Sequence, residues 1–165
     1  MKEINIRDLK ENAIKMISDD WALLTAGNEN GFNTMTVSWG GIGELWGKDI
    51  AFVFVRPQRY TRKFIDREEK MTLSFFGGEY KKEMGFCGKN SGRNFDKMKE
   101  TGLSPVFADG TVYIEEAKHV LVLKKLAVTE MTPDIFIDKT IDGDCYPGKD
   151  YHIVYICEIV KTLEK

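Results

Sequence analysis

Three short segments of the 165-residue chain concentrate the residue types that could bind a ligand. Residues 33–41 alternate small hydroxyl side chains with apolar ones, residues 55–61 carry two arginines beside a proline, and residues 87–97 combine glycine, serine and basic side chains. Hydroxyl groups, guanidinium groups and backbone amides freed by glycine are donors that proteins use for polar and anionic ligands. We therefore expect the three segments to supply parts of one site.

The glycines of the third segment indicate a turn that could bind phosphate. Gly88 and Gly92 can adopt positive backbone angles, so the amides between them could converge on an anion at the start of the helix that follows. Ser91 would add a hydroxyl donor, and Arg93 or Lys97 would add positive charge. The spacing is not that of a P-loop, and a capped helix with solvated basic side chains is the alternative interpretation.

A second basic cluster stands at a strand-to-helix junction. Arg56 lies at the end of a predicted strand, while Arg59 and Thr61 lie where a helix would begin. A guanidinium group beside the amides of a helix start suits a phosphate or another flat polar group. The alternative is a solvated charged surface.

Other kinds of site are not indicated by the sequence. His119 and His152 are far apart, and neither has a metal-ligand neighbour at the usual spacing, so we expect no metal. The glycines of residues 41–43 lie too close to the next strand for a dinucleotide-binding helix. The three cysteines are widely spaced, and we expect reduced thiols at Cys87, Cys145 and Cys157.

Composition limits the class of protein. Hydrophobic residues make up 42% of the chain and charged residues 30%, which is typical of a globular domain. The net charge of −2 argues against nucleic acid as a partner, and the longest apolar run, residues 50–55, is too short to cross a membrane. The amino-terminal residues are charged and do not have the pattern of a signal peptide, so we expect a cytoplasmic protein.

Hydrophobic periodicity predicts a mostly β chain with short helices between some of the strands. The predicted strands cover residues 21–26, 33–39, 50–55, 71–76, 112–117, 120–131 and 153–160. The predicted helices cover residues 6–18, 61–67, 79–86 and 94–100, with a loop at 142–148. Because strands and helices do not alternate regularly, we expect a mostly antiparallel barrel with added helices, in a single domain over residues 1–165.

The three ligand-binding segments, in this order, resemble those of the flavin reductase-like family of FMN-binding split barrels, which includes the flavoredoxins. Residues 33–39 match the pattern N-x-M-T-x-S-W, residues 56–61 match R-P-x-R-Y-T, and residues 87–97 match C-G-x-x-S-G-R-x-x-D-K. Residues 150–152 resemble the D-x-H that opens the last strand of the family. The resemblance covers residues 20–160 but leaves 133–147 unassigned.

The resemblance implies a Greek-key split β-barrel at about residues 20–162, preceded by a helix at about 6–18. It also implies non-covalent FMN and a homodimer whose interface helps to shape the flavin pocket. The residues that would contact the isoalloxazine are Asn33, Thr34, Met35, Thr36 and Ser38. Those that would hold its polar edge or the phosphate are Arg56, Arg59, Tyr60 and Thr61, and the phosphate site would be completed by Ser91, Gly92 and Lys97. Trp39 and Cys87 belong to the same motifs and are included in the expected cofactor site.

The activity implied is electron transfer from NADH or NADPH through FMN to an unidentified acceptor. His152, whose ordinary pKa lies near neutrality, would help to position the donor or a proton, or would merely satisfy a local hydrogen bond. A non-catalytic FMN-binding electron carrier or redox sensor is the alternative function. A barrel that binds single-stranded nucleic acid is disfavoured by the acidic sequence pI of 5.8.

Overall fold

The computed structural model describes all 165 residues, and its centre is an eight-stranded antiparallel sheet. Its strands are β1 (Lys2–Ile4), β2 (Ala22–Asn28), β3 (Gly31–Val37), β4 (Gly40–Leu45), β5 (Lys48–Val55), β6 (Lys70–Phe75), β9 (His119–Glu130) and β10 (Ile153–Glu164). The order is β3-β2-β6-β9-β10-β5-β4, and β1 pairs with β10. A separate hairpin consists of β7 (Pro105–Ala108) and β8 (Thr111–Ile114). The predicted mostly antiparallel β fold is therefore confirmed.

Two hydrophobic cores form because successive residues of a strand point to opposite faces of the sheet. In β2, Ala22 and Leu24 belong to the larger core, and Leu23 between them belongs to the smaller one. In β9, Leu121 and Val122 divide in the same way. Burial of each leucine stabilises the fold by roughly 1.5–3 kcal/mol. Both faces of the central strands are thus buried, and the sheet provides a rigid support for the segments at its ends.

Four short helices accompany the sheet: α1 (Arg62–Arg67), α2 (Lys81–Lys89), α3 (Lys97–Thr101) and α4 (Thr140–Cys145). Met84 and Cys87 of α2 pack into the smaller core together with Ile114 of β8. This packing places the carboxyl end of α2 beside β3, where the candidate ligand-binding segments lie. None of the helices has the length and apolar character needed to span a membrane.

The predicted continuous helix over residues 6–18 is wrong, because only residues 13–19 of this region form a helical stretch. The segment contains a 3₁₀ turn at Ile6–Asp8 and a π-helical turn at Lys15–Asp19 instead. The reason lies in two asparagines. The side chain of Asn5 accepts from the amide of Arg7, and that of Asn12 accepts from the amides of Ile14 and Lys15. Such local bonds replace the continuous helical ladder and divide the segment into separate turns.

Further elements also differ from the predictions, beginning with β1, which was not predicted. β4 was not predicted because three of its six residues are glycine, yet it pairs with β5 across a turn in which Trp46 and Gly47 both have positive φ, 58° and 72°. β7 was not predicted either. The predicted loop at 142–148 begins inside α4.

The amino-terminal segment is attached to the sheet by a buried histidine. Oε1 of Glu11 lies 2.9 Å from Nε2 of His119 on β9 and accepts from Nζ of Lys118 at 3.1 Å. Partial burial alone would raise the pKa of the Glu11 carboxyl, but the hydrogen bonds from His119 and Lys118 outweigh it and lower that pKa to about 2. The carboxylate therefore stabilises the folded state as long as it is ionised.

We predict that Glu11→Gln removes part of the acid sensitivity of the fold. Because the folded pKa of Glu11 lies below its ordinary value of 4.5, its contribution is complete above pH 4.5 and is lost as the pH falls toward 2. The free energy of unfolding, measured in urea at several pH values, should fall less steeply over this range in Glu11→Gln than in the wild type. Glu115→Gln, which changes an exposed carboxylate without a side-chain partner, is the control and should follow the wild type.

Candidate functional site

Two clefts lie side by side at the end of β3 and share Met35 and Arg59 as lining residues. The first, here the aromatic cleft, has a volume of about 200 Å³ and is lined by Met35, Thr36, Val37, Ser38, Trp39, Phe54, Arg56, Arg59 and His152. The second, here the basic cleft, has a volume of about 170 Å³ and is lined by Asn33, Met35, Gln58, Arg59, Tyr60, Thr61, Lys89, Asn90, Ser91, Gly92, Arg93 and Lys97. Because Met35 and Arg59 line both, the two clefts are adjacent.

The basic cleft is lined by four cationic side chains and by no carboxylate. The four side chains come from different segments: Arg59 just before α1, Lys89 at the end of α2, Arg93 between α2 and α3, and Lys97 at the start of α3. None of them forms an ion pair within the chain. The chain as a whole has a net charge of −2, so this concentration of unpaired positive charge is local. Such a cleft favours an anionic ligand.

Arg59 ties two of the predicted segments together. Its Nη1 donates to the carbonyl oxygen of Gly88 at 2.8 Å, and its remaining N–H groups have no partner in the chain. Burial lowers the pKa of this guanidinium group, although it stays protonated throughout the physiological range. Beside it, the guanidinium carbon of Arg93 lies 4.7 Å from the ring centre of Tyr60. Both arginines thus have donors free for a ligand.

Lys97 is buried beneath the basic cleft and holds its walls together. Its Nζ donates to the carbonyl oxygens of Thr34 on β3 and Cys87 on α2, both at 2.7 Å. Burial lowers the pKa of the ammonium group to about 8. Through these two hydrogen bonds, the ammonium group links β3 to α2.

The predicted glycine turn for phosphate is wrong in its backbone. Neither Gly88 nor Gly92 has a positive φ, and α2 continues through Lys89, so Gly88 lies in its last turn. The start of α3 is not free for an anion either, because the Asp96 side chain caps it by accepting from the amide of Lys99. The glycines serve close packing instead: a Cβ on Gly88 would lie 3.3 Å from the Cβ of Thr36, and one on Gly92 would overlap the side-chain oxygen of Asn33.

The predicted residues of β3 divide among several environments. Met35, Thr36, Ser38 and Trp39 line the aromatic cleft, and Asn33 lines the basic cleft. The hydroxyl of Thr34 is turned into the protein, where it accepts from Thr25 at 2.9 Å, and Thr34 lines neither cleft. Cys87 also lines neither, because it is fully buried in the smaller core, and burial raises the pKa of its thiol to about 11.

Side-chain hydrogen bonds fix the polar residues that remain. Nδ2 of Asn33 donates to Oγ1 of Thr61 at 2.8 Å, and the hydroxyl of Thr36 donates to the carbonyl oxygen of Met84. Tyr60, Thr61, Ser91 and Gly92 all line the basic cleft, as the motifs predict for one site. Five lining residues were not predicted. Four of them occupy variable positions within the motifs, namely Val37, Gln58, Lys89 and Asn90, and Phe54 precedes the second motif.

Arg56 lines the aromatic cleft, but its donors are used within the chain. Nη1 donates to Asp150 at 2.5 Å and Nη2 donates to the carbonyl oxygen of Cys145 at 2.9 Å. Gln58 also donates to Asp150, at 2.5 Å. Arg56 therefore anchors residues 145–150 beside the cleft, and its charge is paired with that of Asp150.

His152 forms part of the aromatic cleft and is 7% exposed. Its ring centre lies 5.3 Å from that of Trp39 and 6.2 Å from that of Phe54, and its Nδ1 lies 2.7 Å from the hydroxyl of Tyr146. Burial, assisted by the positive charge of Arg56, lowers the pKa of the imidazole to about 4. The expectation that His152 changes charge around neutrality is therefore wrong, since the ring stays neutral there.

A model of the flavin reductase-like domain family matches residues 16–164. The chain belongs to this family. A comparison with curated proteins finds no match.

Solved structures show that this flavin reductase-like domain has the split-barrel fold. A flavoredoxin from Methanosarcina acetivorans aligns with a TM-score of 0.69 at 18% identity, over 100% of this chain and 75% of the other. Flavoredoxin of Desulfovibrio vulgaris (Miyazaki F) gives 0.68 at 21% identity, over 100% and 76%. An FMN-binding protein from Thermus thermophilus with bound 1-cyclohex-2-enone gives 0.66 at 20% identity, over 99% and 80%. The predicted family and fold are confirmed.

We predict that His152 titrates near pH 4 in the folded protein. Its pKa is lowered from the ordinary 6.5 because the ring is buried and faces Arg56, while Asp150 opposes the shift. Protonation then favours unfolding, so stability that is complete above pH 6.5 is lost as the pH falls toward 4. NMR of the imidazole carbon-bound protons against pH measures the midpoint, and the same titration of the urea-unfolded chain is the control. A midpoint near 6.5 in the folded protein would contradict the burial described here.

Proposed function

We propose that this domain binds FMN without a covalent link, with the phosphate in the basic cleft and the isoalloxazine ring in the aromatic cleft. The observation that carries the proposal is the adjacency of the two clefts, which share Met35 and Arg59. Four cationic side chains without a carboxylate line one cleft, and Trp39, Phe54 and Met35 line the other. FMN has the same arrangement, a dianionic phosphate at one end and a planar, largely apolar ring at the other.

The residues of the basic cleft fit a phosphate group. Arg59 and Arg93 have free guanidinium donors, Ser91 supplies a hydroxyl group, and Lys89 adds charge at the rim. Hydrogen bonds from charged donors to phosphate are the strongest that side chains form. Lys97 supports the site from beneath, since two of its protons are held by carbonyl oxygens.

The residues of the aromatic cleft fit a planar ring. Met35, Trp39 and Phe54 offer apolar contact, while Ser38 offers a polar group for the ring edge. The positive charge of Arg59, which has no ion-pair partner, lies in the wall and favours a ring that carries negative charge. FMN, when bound, supplies the capacity to accept and release electrons, and the protein orients it.

We further propose that the domain is an oxidoreductase that takes electrons from NADH or NADPH and passes them to a second acceptor. Membership of the flavin reductase-like family supports this activity, as does the aromatic cleft, in which His152 could position the donor. The alternative is an electron carrier or redox sensor that does not turn over nicotinamide. The structural likeness to two flavoredoxins supports that alternative, and the two functions are separated by experiment.

Arg59→Ala should weaken FMN binding and leave riboflavin binding nearly unchanged. Loss of a charged hydrogen bond to the phosphate removes roughly 1.5–3 kcal/mol, which is about one to two decades in the dissociation constant. Fluorescence titration of both flavins measures the difference.

A matched pair on α2 isolates the effect of charge. Lys89→Ala should weaken FMN binding, because Lys89 lines the basic cleft, whereas Lys82→Ala, at an exposed position away from both clefts, should not.

Equal losses of FMN and riboflavin affinity in Arg59→Ala would show that Arg59 does not contact the phosphate.

Anaerobic mixing of the FMN-loaded protein with NADH or NADPH should bleach the flavin absorbance. Stopped-flow spectroscopy follows the reaction, and dithionite provides the fully reduced reference. If dithionite reduces the bound flavin and neither nicotinamide does, the reductase proposal fails and the carrier proposal replaces it.

We also propose a symmetric homodimer in which a second copy covers the flavin. Trp39 lines the aromatic cleft and is still 49% exposed, so a bound ring would keep one side in water within a single chain. Binding sites usually bury most of the surface of such a ligand. Sedimentation velocity should show a dimer of the FMN-loaded protein, and a monomer that retains FMN would contradict the proposal.

A further inference from the structure

The connection between β9 and β10 packs against His152, which lines the aromatic cleft. Here it is called the aromatic cap, residues 132–151. Its base is closed by the amide of Met131, which donates to the carbonyl oxygen of His152 at 2.9 Å. Within the cap, the rings of Phe136, Tyr146 and Tyr151 form a mutual cluster, and the Tyr146 ring centre lies 5.6 Å from that of Phe136 and 5.1 Å from that of Tyr151. The Arg56–Asp150 ion pair anchors the cap to the end of β5. Tyr146 is 3% exposed and is thus held in a fixed position.

The two ring nitrogens of His152 differ in their surroundings. Nδ1 lies 2.7 Å from the hydroxyl of Tyr146, inside the protein. Nε2 has no hydrogen-bond partner in the chain. It is not fully buried, so solvent reaches it. Because His152 lines the aromatic cleft, Nε2 is the nitrogen available to a ligand.

The direction of the Tyr146–His152 hydrogen bond decides which nitrogen carries the proton. The Tyr146 hydroxyl has two neighbours, Nδ1 of His152 at 2.7 Å and the thioether sulfur of Met131 at 3.4 Å. An imidazole nitrogen is a much stronger acceptor than a thioether sulfur, and it is also nearer. The hydroxyl proton therefore points to Nδ1. A neutral imidazole has only one proton, which then resides on Nε2.

We infer that Tyr146 is a positioning residue which, by donating to Nδ1, fixes His152 as the Nε2–H tautomer and presents one N–H donor to the aromatic cleft. The ligand group that such a donor recognises is an acceptor oxygen, such as the carbonyl oxygen of a carboxamide. The tautomer is a property of the ligand-free chain, whereas its use in binding a nicotinamide rests on the proposed function. The burial that lowers the pKa of His152 to about 4 keeps this donor unchanged across the neutral range.

The tautomer can be read directly from ligand-free protein. Long-range ¹H–¹⁵N correlation spectra of ¹⁵N-histidine-labelled protein distinguish a protonated from an unprotonated ring nitrogen. The chain has only two histidines, so the spectrum of His152→Gln assigns the signals. We expect a protonated Nε2 and an unprotonated Nδ1 at pH 7. A protonated Nδ1 would overturn the inference, and this measurement requires no variant of Tyr146.

Tyr146→Phe and Tyr151→Phe form a matched pair. Each removes one hydroxyl from the same aromatic cluster, but that of Tyr151 donates to Asp142 and not to His152. Tyr146→Phe should give a mixture of tautomers, and Tyr151→Phe should retain the wild-type spectrum. If Tyr146→Phe leaves the spectrum unchanged, or if both variants shift it equally, the assignment of Tyr146 is overturned.

Kinetics with a nicotinamide donor test the use of the tautomer. In Tyr146→Phe, the KM for the donor should rise in proportion to the loss of the Nε2–H tautomer, about twofold for an equal mixture of tautomers, while FMN affinity stays at the wild-type value. A shifted tautomer with an unchanged KM would overturn the role in positioning. Failure of the wild type to bind FMN or to oxidise a nicotinamide would reject the proposed function, and the tautomer measurement would stand independently of it.

Discussion

The site depends on one buried cation. Lys97 is 5% exposed, has no carboxylate partner, and donates to the carbonyl oxygens of Thr34 and Cys87. A buried ammonium group is stable only where such acceptors replace its hydration, so β3 and α2 are held at a fixed separation. The close approach of Gly88 to Thr36 gives the same junction its tight packing. The backbone from 89 to 93, with Ser91 and Arg93, follows directly from this junction and is thereby placed opposite Arg59.

The two adjacent clefts differ in charge and in aromatic content. In the basic cleft, Arg59, Lys89 and Arg93 repel one another without compensation from the chain, so an anion would stabilise the arrangement. In the aromatic cleft, the charge of Arg56 is instead neutralised by Asp150, and the pair anchors the cap that contains Tyr146. Ligand binding and internal support are thus assigned to different arginines, although both arginines belong to the same R-P-x-R motif.

The sequence predicted seven of the ten strands and the grouping of the site residues, because both depend on local patterns. Apolar side chains indicated strands such as β2 and β9, and the three motifs predicted which residues would lie together in the site. Other features could not be inferred from motif spacing. Arg56 is bound by Asp150, 94 residues further along the chain, and the burial of His152 under Tyr146 depends on how the connection between β9 and β10 folds. The capping of α3 by Asp96 is a local contact, but it was not predicted. The predicted amino-terminal helix failed for a local reason, since Asn5 and Asn12 compete for backbone amides that a periodicity of apolar residues does not take into account.

The central claim is that the two adjacent clefts form one FMN site, in which the basic cleft holds the phosphate and the aromatic cleft holds the ring. A crystal structure of the protein grown with FMN tests it most directly. The account predicts the phosphate within hydrogen-bonding distance of Arg59, Ser91 and Arg93, and the isoalloxazine ring between the wall formed by Met35–Trp39 and the side chain of Phe54. A flavin bound with its phosphate away from the basic cleft, or bound at another surface of the barrel, would contradict it.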